Sequence, residues 1–134
     1  MGSLRRISVI SIPVSDQERA KSFYAGVLGF DVIADEESRQ GERWIQLAPE
    51  GSKNTSIALV TWFDDYAPGC VRGNMIEVRD LDDARVELTH RGLEFEGDAD
   101  VTPWGRFLAF ADPDGNRWSL HEPSGPAAGG MGTV

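Results

Sequence analysis

Ile12-Pro13-Val14-Ser15-Asp16 leads into a helical pattern carried by Ala20, Phe23, Tyr24 and Leu28 and stopped by Gly29. The same order returns 64 residues later, as Ile76-Glu77-Val78-Arg79-Asp80 followed by Ala84, Leu88 and Gly92. At that offset Ile12 falls on Ile76, Val14 on Val78, Asp16 on Asp80 and Ala20 on Ala84. A repeat of this kind decides the architecture. Two equivalent supersecondary units each carry an apolar face that must be covered.

Each copy reads alike on either side of that core. Ile7 to Val14 is a β-branched run and predicts a strand. Ser15-Asp16-Gln17-Glu18 follows the capping-box pattern with Ser15 as N-cap, and Asp16 is the alternative cap. The helix is expected to run to about Leu28, where Gly29 takes the left-handed conformation that ends it. Strands are expected at Phe30 to Ala34, Arg43 to Ala48 and Ser56 to Trp62. A loop with Pro68 and Gly69 separates the halves. The second half predicts a strand at Asn74 to Val78, a helix capped by Asp80 and ending near Gly92, and strands near Leu93 to Glu96, Arg106 to Ala111 and Arg117 to Glu122. Asp112-Pro113-Asp114-Gly115-Asn116 reads as a tight hairpin loop, with Pro at a turn position and Gly supplying positive φ. The expected fold is α+β, with two βαβββ modules over about residues 5–64 and 72–123. Their curved sheets pair around a cavity with the helices outside, in one domain spanning residues 1–123. Residues 124–134 are Gly-, Pro- and Ala-rich and are expected to form a flexible tail.

Composition narrows the function. The net charge is −9, with 22 acidic residues spread along the chain. Such a field repels phosphate backbones and argues against nucleic acid as a partner; it favours a cationic small molecule, or simply keeps the protein soluble. No apolar run approaches the roughly 20 residues that span a bilayer. No signal peptide is evident, and the single Cys70 fits a reducing compartment, so a cytoplasmic protein is expected.

Two stretches resemble a known family. Val14-Ser15-Asp16 through Phe23-Tyr24 and Leu28-Gly29-Phe30 is similar to the opening strand and helix of the vicinal-oxygen-chelate superfamily, which includes glyoxalases, bleomycin-resistance proteins and extradiol dioxygenases. Phe110-Ala111-Asp112-Pro113-Asp114-Gly115-Asn116 looks like its closing hairpin, and Thr102-Pro103-Trp104-Gly105 is common in its bacterial members. The resemblance covers about residues 5–123. It implies four metal-ligand positions, which fall here on Val9, Ala58, Gly73 and Ser119. Val, Ala and Gly side chains offer no donor, and one Ser hydroxyl is a poor ligand. The chain therefore resembles a metal-free bacterial branch, with no cofactor expected, and the metal-dependent glyoxalase and dioxygenase activities are disfavoured. Superfamily members of this size imply a homodimer.

Strand alternation extends the set of cavity residues from those four positions. It selects Ile7 and Ser11 beside Val9, Val60 and Trp62 beside Ala58, Met75 and Glu77 beside Gly73, and Arg117 and His121 beside Ser119. With Trp104, which precedes a strand and is placed to close over the cavity, the expected ligand-binding residues are Ser11, Ala58, Val60, Trp62, Met75, Glu77, Trp104, Ser119 and His121. Trp44 lies in a strand whose parity the sequence leaves open. Each residue has a plainer role: Trp62 as a core aromatic, Glu77 as a solvated or paired charge, His121 as a structural histidine. The preferred reading is a metal-independent binding protein that sequesters a cationic or aromatic natural product such as an antibiotic. The alternative is a metal-independent isomerase or cyclase of secondary metabolism with Glu77 or His121 as acid or base and Ser11 or Ser119 orienting the substrate. A rearranged metal site using Glu77 and His121 is a third possibility.

Overall fold

The structure, a computed structural model, describes residues 2–38 and 40–124. Two compact units are present. The first comprises residues up to Val71 together with Pro113–Asn116, and the second comprises Arg72–Asp112 and the residues from Arg117 onward. The expected tail lies outside the described residues, apart from Ser124.

The first unit contains β1 (Val9–Pro13), α1 (Gln17–Lys21), β2 (Asp31–Glu37), β3 (Arg43–Ala48) and β4 (Ser56–Val60). Its sheet has the order β1-β4-β3-β2, with β1 parallel to β4 and the other pairs antiparallel. The second unit repeats this with β5 (Asn74–Glu77), α2 (Leu81–His90), β6 (Asp100–Thr102), β7 (Gly105–Ala111) and β8 (Arg117–Pro123), in the order β5-β8-β7-β6. Here β5 and β8 are the parallel pair. The molecule is α+β and is built from two βαβββ modules.

The repeat extends to the polar contacts. Asp16 and Asp80 cap the two helices by accepting the backbone N–H of Arg19 and Asp83, each at 3.0 Å. Two residues past each cap an acid meets an arginine from the third strand of its module: Glu18 with Arg43 at 2.9 Å, and Asp82 with Arg106 at 3.3 Å. Apolar residues of β1, β3 and β4 that point the same way as Arg43, namely Ile12, Ile45, Leu47 and Leu59, are fully buried; Leu108, Phe110, Trp118 and Leu120 do the same in the second sheet. Burying each such side chain contributes about 1.5–3 kcal/mol.

Several expectations need correction. Ser15 is not the cap. Its hydroxyl donates to Asp114 at 2.5 Å, so the hairpin loop claims it and Asp16 caps the helix alone. Beyond Lys21 the helix widens into a π-helical stretch, Ser22–Val27, with Leu28 N–H donating to the Phe23 carbonyl at 3.0 Å. Gly29 then takes positive φ, as expected. Leu93 to Glu96 is not a strand. Gly92 and Gly97 on either side both have positive φ, Leu93 is buried, and Phe95 packs edge-on against Phe110 at 6.1 Å. Asp100–Thr102 takes the place beside β7 instead. The strand expected to reach Trp62 ends at Val60.

The Asp112-to-Asn116 loop is a structural clamp on the first unit. Asn116 is fully buried; its side-chain oxygen accepts from Val71 N–H at 3.2 Å and its amide donates to the Pro13 carbonyl at 2.8 Å. Gly69 lies so close to the loop that a Cβ there would sit 2.3 Å from the Asp114 carbonyl oxygen.

Candidate functional site

Ile45 and Leu47 face α1 and are wholly buried, so Trp44 and Gln46 point to the opposite side of β3. Gln46 pairs in register with Ala58, and Ala58 with Ser11, which places Trp44, Gln46, Ser11, Ala58, Val60 and Ser56 on one sheet face. The parity of Trp44 is thereby settled. Its ring lies 6.4 Å from that of Trp62, inclined by 31°, and Trp62 lies 6.1 Å from Phe63. Trp44 and Trp62 are half-buried and Phe63 is exposed. Inserting a flat ring between two others requires about 7 Å, two contacts of roughly 3.5 Å. Trp44 and Trp62 are nearer than that and tilted. The three rings adjoin as one partly exposed, angled aromatic wall, with no slot between Trp44 and Trp62 that would enclose a flat ring.

Polar groups border this wall. Trp44 Nε1 donates to Gln46 Oε1 at 3.1 Å, and Gln46 Nε2 donates to Ser56 Oγ at 2.8 Å. Tyr66 Oη donates to the Ser11 carbonyl at 2.7 Å, and burial, followed by the neighbouring Cys70, pushes its pKa up. The phenol therefore stays protonated and keeps its bond. Ala58 and Val60 lie on the expected face but are fully buried, so they form its floor and offer a ligand no surface. Ser11 keeps partial exposure.

The second unit brings four expected residues onto one face. Met75 pairs in register with Ser119, and Glu77 with His121. Met75 and Glu77 are exposed, and Ser119 is half-buried. His121 is buried, its ring stacked on Phe107 at 4.5 Å and 5°, with Nε2 3.2 Å from the Trp104 carbonyl oxygen. Trp104 itself is 58% exposed in the turn between β6 and β7. Gly105 beside it is obligatory, because a Cβ there would sit 2.1 Å from the Glu122 carbonyl oxygen.

Sequence reasoning missed Gln46, Phe107, Tyr66 and Phe63. The alternation of Ile45 and Leu47 against Trp44 and Gln46 was the available signal for Gln46, and the parity Gly105-Phe107-Ala109 was the signal for Phe107. Tyr66 and Phe63 lie in a loop without periodicity.

The sequence pattern described as the Glyoxalase/Bleomycin resistance protein/Dioxygenase superfamily covers residues 6–120. The chain belongs to that superfamily. Within it, the chain is similar to the solved structure of TnmS3, an antibiotic binding protein from Streptomyces sp. CB03234, with 43% identity and a TM-score of 0.85 over 92% of this chain and all (100%) of that one. A glyoxalase/bleomycin resistance protein from the same organism is 44% identical, with a TM-score of 0.76 over 87% of this chain and 99% of that one. The uncharacterised protein YetH of Bacillus subtilis is 27% identical over 89% of this chain and 99% of its own length.

The resemblance to metal-dependent members implies ligand positions at Val9, Ala58, Gly73 and Ser119, and the side chains at those positions do not fit a divalent ion. Val9, Ala58 and Gly73 carry no side-chain donor, and Ser119 offers one neutral hydroxyl. Glu77 and His121 are register partners, yet among the described residues no group of three His, Cys, Asp or Glu is close enough to hold a metal. None of the helices among the described residues is long and apolar enough to cross a membrane.

Proposed function

We propose that this protein binds a planar aromatic small molecule of the antibiotic type and does so without a metal. The observation that carries the reading is the wall formed by Trp44, Trp62 and Phe63. Three adjoining aromatic rings at least partly open to solvent are costly to leave in water, and they give a flat ligand stacking area on a face bordered by a few fixed polar groups. The antibiotic-binding relative of 43% identity supports an antibiotic as the ligand. The net charge of −9 supports a ligand with cationic character, which also gains cation–π attraction to the indoles. The donor-poor residues at the four former ligand positions support metal independence. A homodimer and a cytoplasmic site of action belong to the same reading.

The surroundings of His121 favour a structural role over proton transfer, since the ring is buried, stacked and in contact with a carbonyl. Glu77 is the group on which an enzymatic reading would rest.

The test is a tryptophan-quenching and calorimetric titration of metal-stripped protein with acridine orange, a flat cation, and with bleomycin. Saturable one-site binding to either ligand, retained by Glu77→Gln with at most modest weakening, supports the reading. No binding by either ligand, or binding that returns only on adding a divalent metal, overturns it.

A further inference from the structure

We propose that Gln46 is a positioning residue that sets the plane of the Trp44 indole and so the shape of the aromatic wall. Its geometry stands by itself, while its consequence for affinity rests on the binding function proposed above. Three hydrogen bonds run in series across three chain segments. Trp44 Nε1 donates to Gln46 Oε1 at 3.1 Å, Gln46 Nε2 donates to Ser56 Oγ at 2.8 Å, and Ser56 Oγ donates to the Ser8 carbonyl oxygen at 2.8 Å.

Both ends of this chain have fixed polarity. An indole N–H can only donate, and a backbone carbonyl can only accept. The groups between them therefore have one consistent arrangement. Flipping the Gln46 amide would point N–H at N–H on one side and leave Ser56 without its donor on the other. Ser56 is 4% exposed, so a broken link there would strand polar atoms away from water. The chain crosses from β3 to β4 to the residue just before β1, so its far end is anchored in backbone.

Trp44 is thus held against rotation before any ligand arrives. A half-buried indole left free would have to be immobilised on stacking, at a cost equivalent to about two- to tenfold in affinity per side chain. The bond also fixes the 31° inclination to Trp62, so Gln46 governs which ring shapes the wall accepts.

The experiment needs no ligand for its first readout. The indole N–H signals of the four tryptophans are recorded by two-dimensional NMR, and the Trp44 signal is assigned with Trp44→Phe. Gln46→Met, close in shape but without the amide, is expected to move that signal and speed its exchange with solvent while leaving the Trp118 signal in place. Gln46→Glu keeps an acceptor for the indole but gives up the donor to Ser56, and is expected to restore the shift in part. If Gln46→Met fails to fold, Ser56→Ala removes the downstream anchor and is expected to accelerate Trp44 exchange to a smaller extent. Acridine orange titration is the second readout, with about two- to tenfold weaker binding expected for Gln46→Met and partial recovery for Gln46→Glu. An unchanged Trp44 signal in Gln46→Met, or in Ser56→Ala where only that variant folds, overturns the positioning role. A changed signal with unaltered affinity overturns its consequence for binding. A changed signal in a protein whose wild type binds neither probe upholds the positioning role and overturns the binding function.

Discussion

Single residues divide here into those that present a surface and those that hold it. Trp62 presents one: its ring adjoins both Trp44 and Phe63, so removing it cuts the wall in two. Trp62→Ala is expected to weaken binding of a flat aromatic ligand by about 10–100-fold, as for a central aromatic contact, while changing the thermal midpoint little. Calorimetry beside a melting curve checks this, and a variant that binds as wild type would place the ligand elsewhere. Strand alternation was legible in the sequence: Ser11 shares a face with Ala58, and Met75, Glu77, Ser119 and His121 share another, because parity carries from one position to its neighbours. That rule does not register depth. It selected Val60 beside Ala58, and both share the face but lie beneath it. It also gave no weight to the bond and stack that occupy His121. Tyr66 reaches Ser11 from a loop, and no periodicity points to such a contact.

Secondary-structure elements were read best where the cause is local. The Asp80 cap, the glycine-terminated helix and the Arg43–Ala48 strand follow from short-range chemistry, whereas a distant loop takes Ser15 from its expected capping role and tertiary packing buries Leu93 and sets Phe95 against Phe110. The π-helical stretch was not legible, since an amphipathic pattern hardly distinguishes a widened turn from a regular one. Long-range polar contacts fasten these elements, and two predictions follow from them. Hydrogen bonds from Arg43, and then from Lys21, hold the Asp35 carboxyl well below the usual carboxylate range and tie α1 to β2 and β3. The folded state therefore binds fewer protons than the unfolded chain. This stabilisation is present above about pH 4 and fades as acid drops below the ordinary Asp value. Asp35→Asn should lower the urea midpoint at pH 7 and differ less from wild type at pH 3; an equal gap at both values would show that the charge is not involved. The second concerns the hairpin loop. Asn116→Asp replaces a buried donor with a carboxylate facing the Pro13 carbonyl, and should cost about 2–4 kcal/mol in urea unfolding. A loss below 1 kcal/mol, roughly that of a surface change, would mean the loop is not the clamp described.

The charge belongs to the whole molecule, and it makes a claim that no single residue can. With 22 acidic against 13 basic side chains, the long-range field attracts cations wherever on the surface they bind. Stacking on the indoles is short-ranged and nearly indifferent to salt, whereas the field is screened over about 10 Å at 0.1 M salt and about 3 Å at 1 M. Ionic strength therefore separates the two contributions without any mutation. Acridine orange should bind severalfold more weakly at 1 M than at 0.1 M sodium chloride, with the change concentrated in the association rate. Acridone, which is flat and neutral, should hold its affinity across the same range. Stopped-flow fluorescence at the two salt concentrations measures both. If the cation shows no salt dependence, the acidity serves solubility alone and the aromatic wall selects its ligand by shape. If both probes weaken together, salt is acting on the protein rather than on the encounter, and charge drops out of the account of specificity.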